Sequence, residues 1–153
     1  LASLKKLSLD KFGKEAKNIF NSRKESYYDQ YTYSLLRTKN KKLVFELYYQ
    51  IEANETSINQ LSKKYSSGSE KLKLGIIGPI NLKDVHFEIA KILKFSNDSI
   101  INEPIEINNE WFLIKRENFV SVKFNDYYQN KICMELLEIE LENEYFNLIK
   151  TKA

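Results

Sequence analysis

The chain has 153 residues, enough for one domain with an appended element or for two small units. Hydrophobic residues make up 42 % and charged residues 29 %, which is an ordinary composition for a globular protein. The 24 basic and 21 acidic residues leave a net charge of +3, and such a mixed surface argues against a dedicated nucleic-acid or membrane face.

The first half of the chain predicts a helix, a strand and two more helices. Apolar residues recur at helical spacing over 9–26 and again over 43–51. Residues 31–37 are rich in strand-forming side chains, so we predict a strand there. Thr56 and Ser57 can cap a short third helix, because their hydroxyl groups accept hydrogen bonds from the first free backbone N–H groups.

The second half predicts a short strand, a fourth helix, a hairpin and a long terminal helix. The apolar run 75–79 has turn residues at both ends, and Asp84 can cap the helix that follows. Asn108 and Asn109 tolerate positive φ, which suits the tight turn of a hairpin. The last residues keep a helical pattern to the end of the chain. Because both terminal helices have broad apolar faces, we expect them to pack on each other.

Residue types that carry metal, phosphate or nucleophile chemistry are scarce. The one cysteine, Cys133, excludes an internal disulfide, and its apolar helical surroundings predict a buried, unreactive thiol. The one histidine, His86, stands at a predicted helix start without a second ligand, which predicts a surface or capping residue. The glycines at 75 and 78 lack the lysine and further glycines of a phosphate loop. We therefore expect neither a metal nor a cofactor.

The sequence leaves the compartment open. No apolar run reaches the 18 or so residues that a membrane span needs, and no signal peptide is visible. The chain starts at Leu1 rather than methionine. The expectation is therefore bacterial cytoplasm or, if an upstream signal was removed, an exported compartment. The oligomeric state is not indicated.

The central segments, in this order and spacing, resemble the parvulin family of peptidyl-prolyl cis-trans isomerases, also called rotamases or PpiC-type isomerases. The segments that carry the resemblance are YSLLR (33–37), YSSG (65–68), LGIIG (74–78), EPI (103–105) and WFLIK (111–115). The resemblance implies an α+β fold with a four-stranded sheet surrounded by helices. It implies a parvulin-like domain at 29–117 between helical arms at 1–28 and 118–153, an arrangement similar to that of isomerase-chaperones.

The family's polar catalytic positions hold other residues here. Its first-strand histidine falls at Ser34, its central aspartate or cysteine at Lys73, and its second histidine at Phe112. The resemblance thus implies Ser34, Lys73 and Phe112 as the catalytic positions. The substrate-binding positions that it implies are Leu82, Ile92, Leu93 and Trp111.

Three hypotheses about function stay open at this point. The first is a parvulin-type isomerase that acts on proline-containing polypeptides and assists folding or secretion. The second is a chaperone or peptide-binding module that uses the same groove with weak catalysis or none. The third is a helical interaction protein whose likeness to parvulins is accidental. In the first two, the partners are unfolded or proline-containing chains, without nucleic acid or stable membrane insertion.

Overall fold

The computed structural model describes residues 2–152, which form two compact units. The terminal unit joins the two chain ends, up to Glu25 and from Val122 onward, and the central unit is Ser26–Ser121. The helices and strands in chain order are α1 (Ala2–Arg23), β1 (Gln30–Thr38), α2 (Lys41–Glu52), α3 (Ile58–Tyr65), β2 (Ile76–Ile80), α4 (Phe87–Phe95), β3 (Ile105–Ile107), β4 (Glu110–Val120) and α5 (Asp126–Lys152). Shorter helical turns are a π-helical turn (Lys24–Tyr28) and two 3₁₀ turns (Ser69–Lys73 and Leu82–Asp84).

The terminal unit consists of α1 and α5 packed on each other, as their apolar faces predict. The Phe20 ring lies 5.2 Å from the ring of Phe124 and 5.1 Å from that of Tyr128, measured between centroids. Arg23 donates a hydrogen bond of 2.8 Å to Glu135. Cys133 is fully buried, as predicted, and burial raises the pKa of its thiol.

The central unit is built on one four-stranded antiparallel sheet with the strand order β2-β1-β4-β3. Strands β1 and β4 pair along their whole length, with Leu35 opposite Ile114 and Leu36 opposite Leu113. This sheet with surrounding helices confirms the predicted α+β class.

Successive strand side chains point to opposite faces, so the sheet has two separate cores. Helices α2 and α3 cover one face, where Leu36 and Leu113 pack with Val44, Leu47 and Ile58. Helix α4 covers the other face. The buried residues on that face are Tyr31, Tyr33, Leu35, Leu82, Ile89, Leu93, Ile107, Phe112 and Ile114.

Local signals explain most element boundaries. Asn108 and Asn109 both have positive φ, 51° and 64°, and connect β3 to β4 as the asparagine pair predicts. The Ser57 hydroxyl accepts from Gln60 N at the start of α3. The predicted cap Asp84 is wrong: it ends a 3₁₀ turn, and His86 caps α4 by accepting from Glu88 N through Nδ1 at 3.2 Å.

Within residues 2–152, no helix combines the length and apolar character needed to cross a membrane. In the same part of the chain, no group of three or more His, Cys, Asp or Glu side chains is arranged to hold a metal ion.

Candidate functional site

The central unit contains a cavity of about 960 Å³ on the sheet face that α4 covers. Its apolar floor comes from strands β1 to β4 and from α4. The floor residues are Leu35, Ile77, Ile89, Ile107 and Phe112. Charged and polar side chains stand around this floor, namely Arg37, Glu70, Lys73, His86 and Glu110. Two further apolar side chains, Leu72 and Ile76, also line the cavity.

The strand register brings the floor together from distant parts of the sequence. Leu35 and Arg37 lie on the same face of β1, because their positions differ by two. Phe112 on β4 is opposite Arg37 on one side and opposite Ile105 of β3 on the other. The cavity therefore spans three adjacent strands and reaches the edge strand β2.

An ion pair between the half-buried Arg37 and the buried Glu70 forms one wall of the cavity. Arg37 donates from Nε to Glu70 Oε1 at 3.0 Å and from Nη2 to Glu70 Oε2 at 3.1 Å. The Ser66 hydroxyl also donates to Glu70, and Glu110 lies 3.9 Å from the same guanidinium group. Only 5 % of the Glu70 side chain is exposed, so this two-point contact replaces the water that the carboxylate has lost.

Two pKa values in this region follow from that arrangement. Burial alone would raise the pKa of Glu70, but hydrogen bonds from Ser66, from its own backbone N–H and from Arg37 lower it below its ordinary value of 4.5. Burial, and secondarily the Glu70 charge, raises the pKa of Tyr33 to about 12. Glu70 is thus ionised and Tyr33 neutral at pH 7, so neither is poised to exchange a proton there.

Glycines allow the chain beside the cavity to approach its neighbours closely. Gly75 has a φ of 76° and its carbonyl accepts from Leu35 N at 2.8 Å. Gly78 has a φ of 124°, and a Cβ there would lie 2.5 Å from the carbonyl oxygen of Tyr31. Neither position accommodates a larger residue without moving the backbone of β1 or β2.

Of the residues predicted as catalytic, Lys73 and Phe112 line the cavity and Ser34 does not. Ser34 is fully buried on the face that α2 and α3 cover. Its hydroxyl donates to Glu117 at 2.7 Å and accepts from Asn59 Nδ2 at 2.9 Å. Asn59 Nδ2 also donates to the Leu74 carbonyl, so Ser34 belongs to a polar network that ties β1, β4 and α3 to the turn before β2.

The structure does not bring the four predicted substrate-binding residues to the cavity wall. Leu82 and Leu93 are buried in the core between α4 and the sheet, and Ile92 packs against that core. Trp111 lies on the opposite sheet face, where its ring is 5.5 Å from that of Phe45. The physical reason is the strand period of two, because Trp111 must face away from its neighbour Phe112.

Sequence reasoning missed several cavity residues that carried a usable signal. Leu35 and Arg37 alternate with the buried Leu36 along β1, and Ile107 is the end of the predicted hairpin strand. His86 was predicted as a capping or surface residue and does cap α4, yet it also lines the cavity. Glu70 carried no local signal, since its partner Arg37 is 33 residues away in the sequence.

The architecture defines the class of fold as that of parvulin-type peptidyl-prolyl isomerases, so the predicted resemblance is confirmed at the level of the fold. Solved structures that share it include a peptidyl-prolyl isomerase, PrsA, from Bacillus anthracis, at 20 % identity and a TM-score of 0.63, covering 84 % of this chain and 60 % of that one. The foldase PrsA from Streptococcus pneumoniae matches at 19 % identity and a TM-score of 0.62, covering 95 % and 55 %.

A third solved structure is that of SurA-like chaperones from Campylobacter jejuni, at 15 % identity and a TM-score of 0.53, covering 90 % of this chain and 60 % of that chain. The chain therefore spans between about half and three fifths of the length of these proteins. No protein-family model and no curated protein sequence matches the chain. At this level of identity the likeness establishes the fold and leaves the activity to be argued from the cavity.

Proposed function

We propose that this chain is a parvulin-type peptidyl-prolyl isomerase-like protein that binds proline-containing polypeptide segments in the cavity of its central unit. The observation that carries the proposal is the apolar floor of five side chains, which come from all four strands of the sheet and from α4. A prolyl ring is apolar and lacks a backbone N–H, so such a floor can hold it without leaving a donor unsatisfied. Residues 29–117 would be the isomerase-like domain, and the chains it assists would be unfolded or secreted ones.

Prolyl isomerisation needs no bond to break, so a site without a proton donor or nucleophile can still accelerate it. The barrier of about 18–20 kcal/mol comes from amide resonance, which is lost when the peptide bond twists. A protein lowers this barrier by binding the twisted amide more tightly than either planar form. Packing the ring against Phe112 and moving the amide out of water favours the less dipolar twisted state.

The polar groups around the floor set how strong that catalysis can be. Arg37 and Glu70 are already bound to each other, which ties up much of their hydrogen-bonding capacity. Lys73 is exposed, so in this proposal it contributes a solvated cation near the substrate carbonyl and not a fixed hydrogen bond. We therefore expect a weak isomerase.

The second candidate function is a peptide-binding chaperone module that uses the same cavity without meaningful catalysis. The observation in its favour is that the cavity floor consists of apolar side chains alone, whereas its charged groups stand at the wall. Such a floor binds apolar segments of any unfolded chain, and the SurA-like chaperones share the fold. The two candidates differ only in whether the twisted amide is bound better than the planar one.

A charge placed on the cavity floor tests the proposal. Ile77 and Ile80 are both half-buried on β2, but only Ile77 lines the cavity. Ile77→Glu is expected to reduce the acceleration of cis–trans exchange in a proline peptide at least tenfold, because a prolyl ring would have to desolvate the new carboxylate. Ile80→Glu is the matched control and is expected to retain the wild-type rate. The rate is measured by NMR exchange spectroscopy with the full chain at high concentration.

The same experiment separates the candidates. Acceleration in the wild type that Ile77→Glu removes supports the isomerase. Peptide binding and suppression of client aggregation without acceleration support the chaperone module instead. If the wild type neither binds nor accelerates, both are rejected.

A further inference from the structure

Two large apolar side chains on the cavity wall are left in contact with water. Leu72 in the 3₁₀ turn Ser69–Lys73 is 82 % exposed, and Ile76 at the start of β2 is 43 % exposed. Both line the same cavity as the buried floor. The cavity of about 960 Å³ has room for more than one prolyl ring, so a residue next to the proline can contact Leu72 and Ile76 while the ring lies on the floor.

Charged side chains at the cavity wall are the alternative way to select between peptide segments. The guanidinium group of Arg37 is balanced by Glu70 and by Glu110, which leaves Lys73 as the exposed cation in the lining. An ion pair between an exposed lysine and a ligand carboxylate changes affinity by about fivefold at most, and salt screens it. Covering the Leu72 and Ile76 side chains with a leucine-sized group changes affinity by about tenfold or more.

We infer that the cavity selects a large apolar residue next to the proline, and that Leu72 and Ile76 are the residues that determine this specificity. The inference rests on the proposed function, because it names the class of polypeptide segment that the cavity binds. It concerns selection between segments and is independent of whether the amide is isomerised.

The test uses the full chain and short peptides that differ at one position. Leucine, alanine or glutamate precedes the proline in three peptides, and in a fourth the leucine follows it. Calorimetric titration is expected to give at least tenfold tighter binding for a leucine peptide than for the alanine and glutamate peptides. The fourth peptide shows on which side of the proline the apolar residue is read.

Leu72→Ser is expected to remove most of the preference for leucine while keeping the weaker binding of the alanine peptide. Because Leu72 is so exposed, this substitution leaves the fold intact. Ile100→Ser is the matched control, since Ile100 is 55 % exposed and lines a different cavity of the same unit. It is expected to keep the wild-type preference.

Three outcomes would overturn the inference. Equal affinities of the wild type for all four peptides reject it and leave the proposed function standing. A preference for glutamate that disappears in Lys73→Gln shows that charge, not apolar contact, selects the segment. Absence of binding to every peptide rejects the proposed function and the inference with it.

Discussion

Replacing Gly78 by alanine is expected to lower the free energy of unfolding of the central unit by about 3 kcal/mol. Gly78 has a φ of 124°, a backbone conformation that residues with a Cβ rarely adopt. The new Cβ would also lie 2.5 Å from the Tyr31 carbonyl oxygen and 2.9 Å from the Thr32 Cα, and both are backbone atoms of β1. The edge strand β2 would have to move away from β1, taking Ile77 with it.

The fluorescence of Trp111, the one tryptophan, reports denaturant unfolding of the central unit in the full chain. Gly13→Ala is the control, because it adds the same methyl group at a position where the structure has room for it. A Cβ at Gly13 meets only Gln129 Nε2, at 3.7 Å, and alanine stabilises a helix interior over glycine by about 0.5–1 kcal/mol. The chain carrying Gly13→Ala is therefore expected to be slightly more stable by circular dichroism. A Gly78→Ala chain as stable as the wild type would contradict the described approach of β2 to β1.

Replacing Arg37 by methionine is expected to cost the central unit about 2 kcal/mol at pH 7, because it leaves the buried Glu70 carboxylate without its two-point partner. Arg37 keeps 35 % of its side chain exposed, so water replaces part of what is lost and the cost stays below that of a fully buried pair. Denaturant unfolding followed by Trp111 fluorescence measures the loss. Lys91→Met, which removes an exposed partner of Glu88, is the control and is expected to change stability by less than about 0.5 kcal/mol.

The cost of Arg37→Met depends on pH in a defined direction. The folded-state pKa of Glu70 is lowered from 4.5 in the wild type, so its contribution to stability is fully present above pH 4.5 and is lost as the pH falls through the folded-state value. Without Arg37, burial is no longer offset to the same degree and the pKa of Glu70 rises. The difference in the free energy of unfolding between the wild type and Arg37→Met should therefore become smaller below pH 4.5. If this difference in the free energy of unfolding becomes larger in acid, Arg37 does not act by stabilising the Glu70 carboxylate.

Local sequence patterns were enough to predict most of the elements. Asn108 and Asn109 tolerate the positive φ that a tight hairpin turn requires, and this pattern predicted the turn. The helices followed from their apolar spacing, and β1 from its strand-forming residues. The fourth helix was found, but its cap was placed at Asp84 because aspartate caps more often than histidine. Asp84 instead ends the 3₁₀ turn Leu82–Asp84, in which Leu82 packs in the core, and no local pattern indicates this turn.

The candidate site was less predictable, because successive side chains of a strand point to opposite faces of the sheet, so an error of one residue moves a side chain to the other face. Ser34 and Phe112, both predicted as catalytic positions, lie on opposite faces of the sheet, because Phe112 pairs with Arg37, three residues beyond Ser34, and an odd offset reverses the face. For the same reason Trp111 lies on the sheet face opposite to Phe112. The Arg37–Glu70 ion pair could not be predicted from local sequence patterns, because it depends on how the 3₁₀ turn Ser69–Lys73 folds back against β1.

In the proposed function, proline-containing segments bind on the α4 face of the sheet. The most direct measurement is a methyl NMR titration of the full chain with a leucine-proline peptide. The proposed function predicts shift changes in the methyl groups of Leu35, Ile77, Ile89 and Ile107, which line the cavity, together with faster exchange between the cis and trans peptide signals. Shift changes confined to the α2 and α3 face, for example at Val44 and Leu47, or none at peptide saturation, would contradict it.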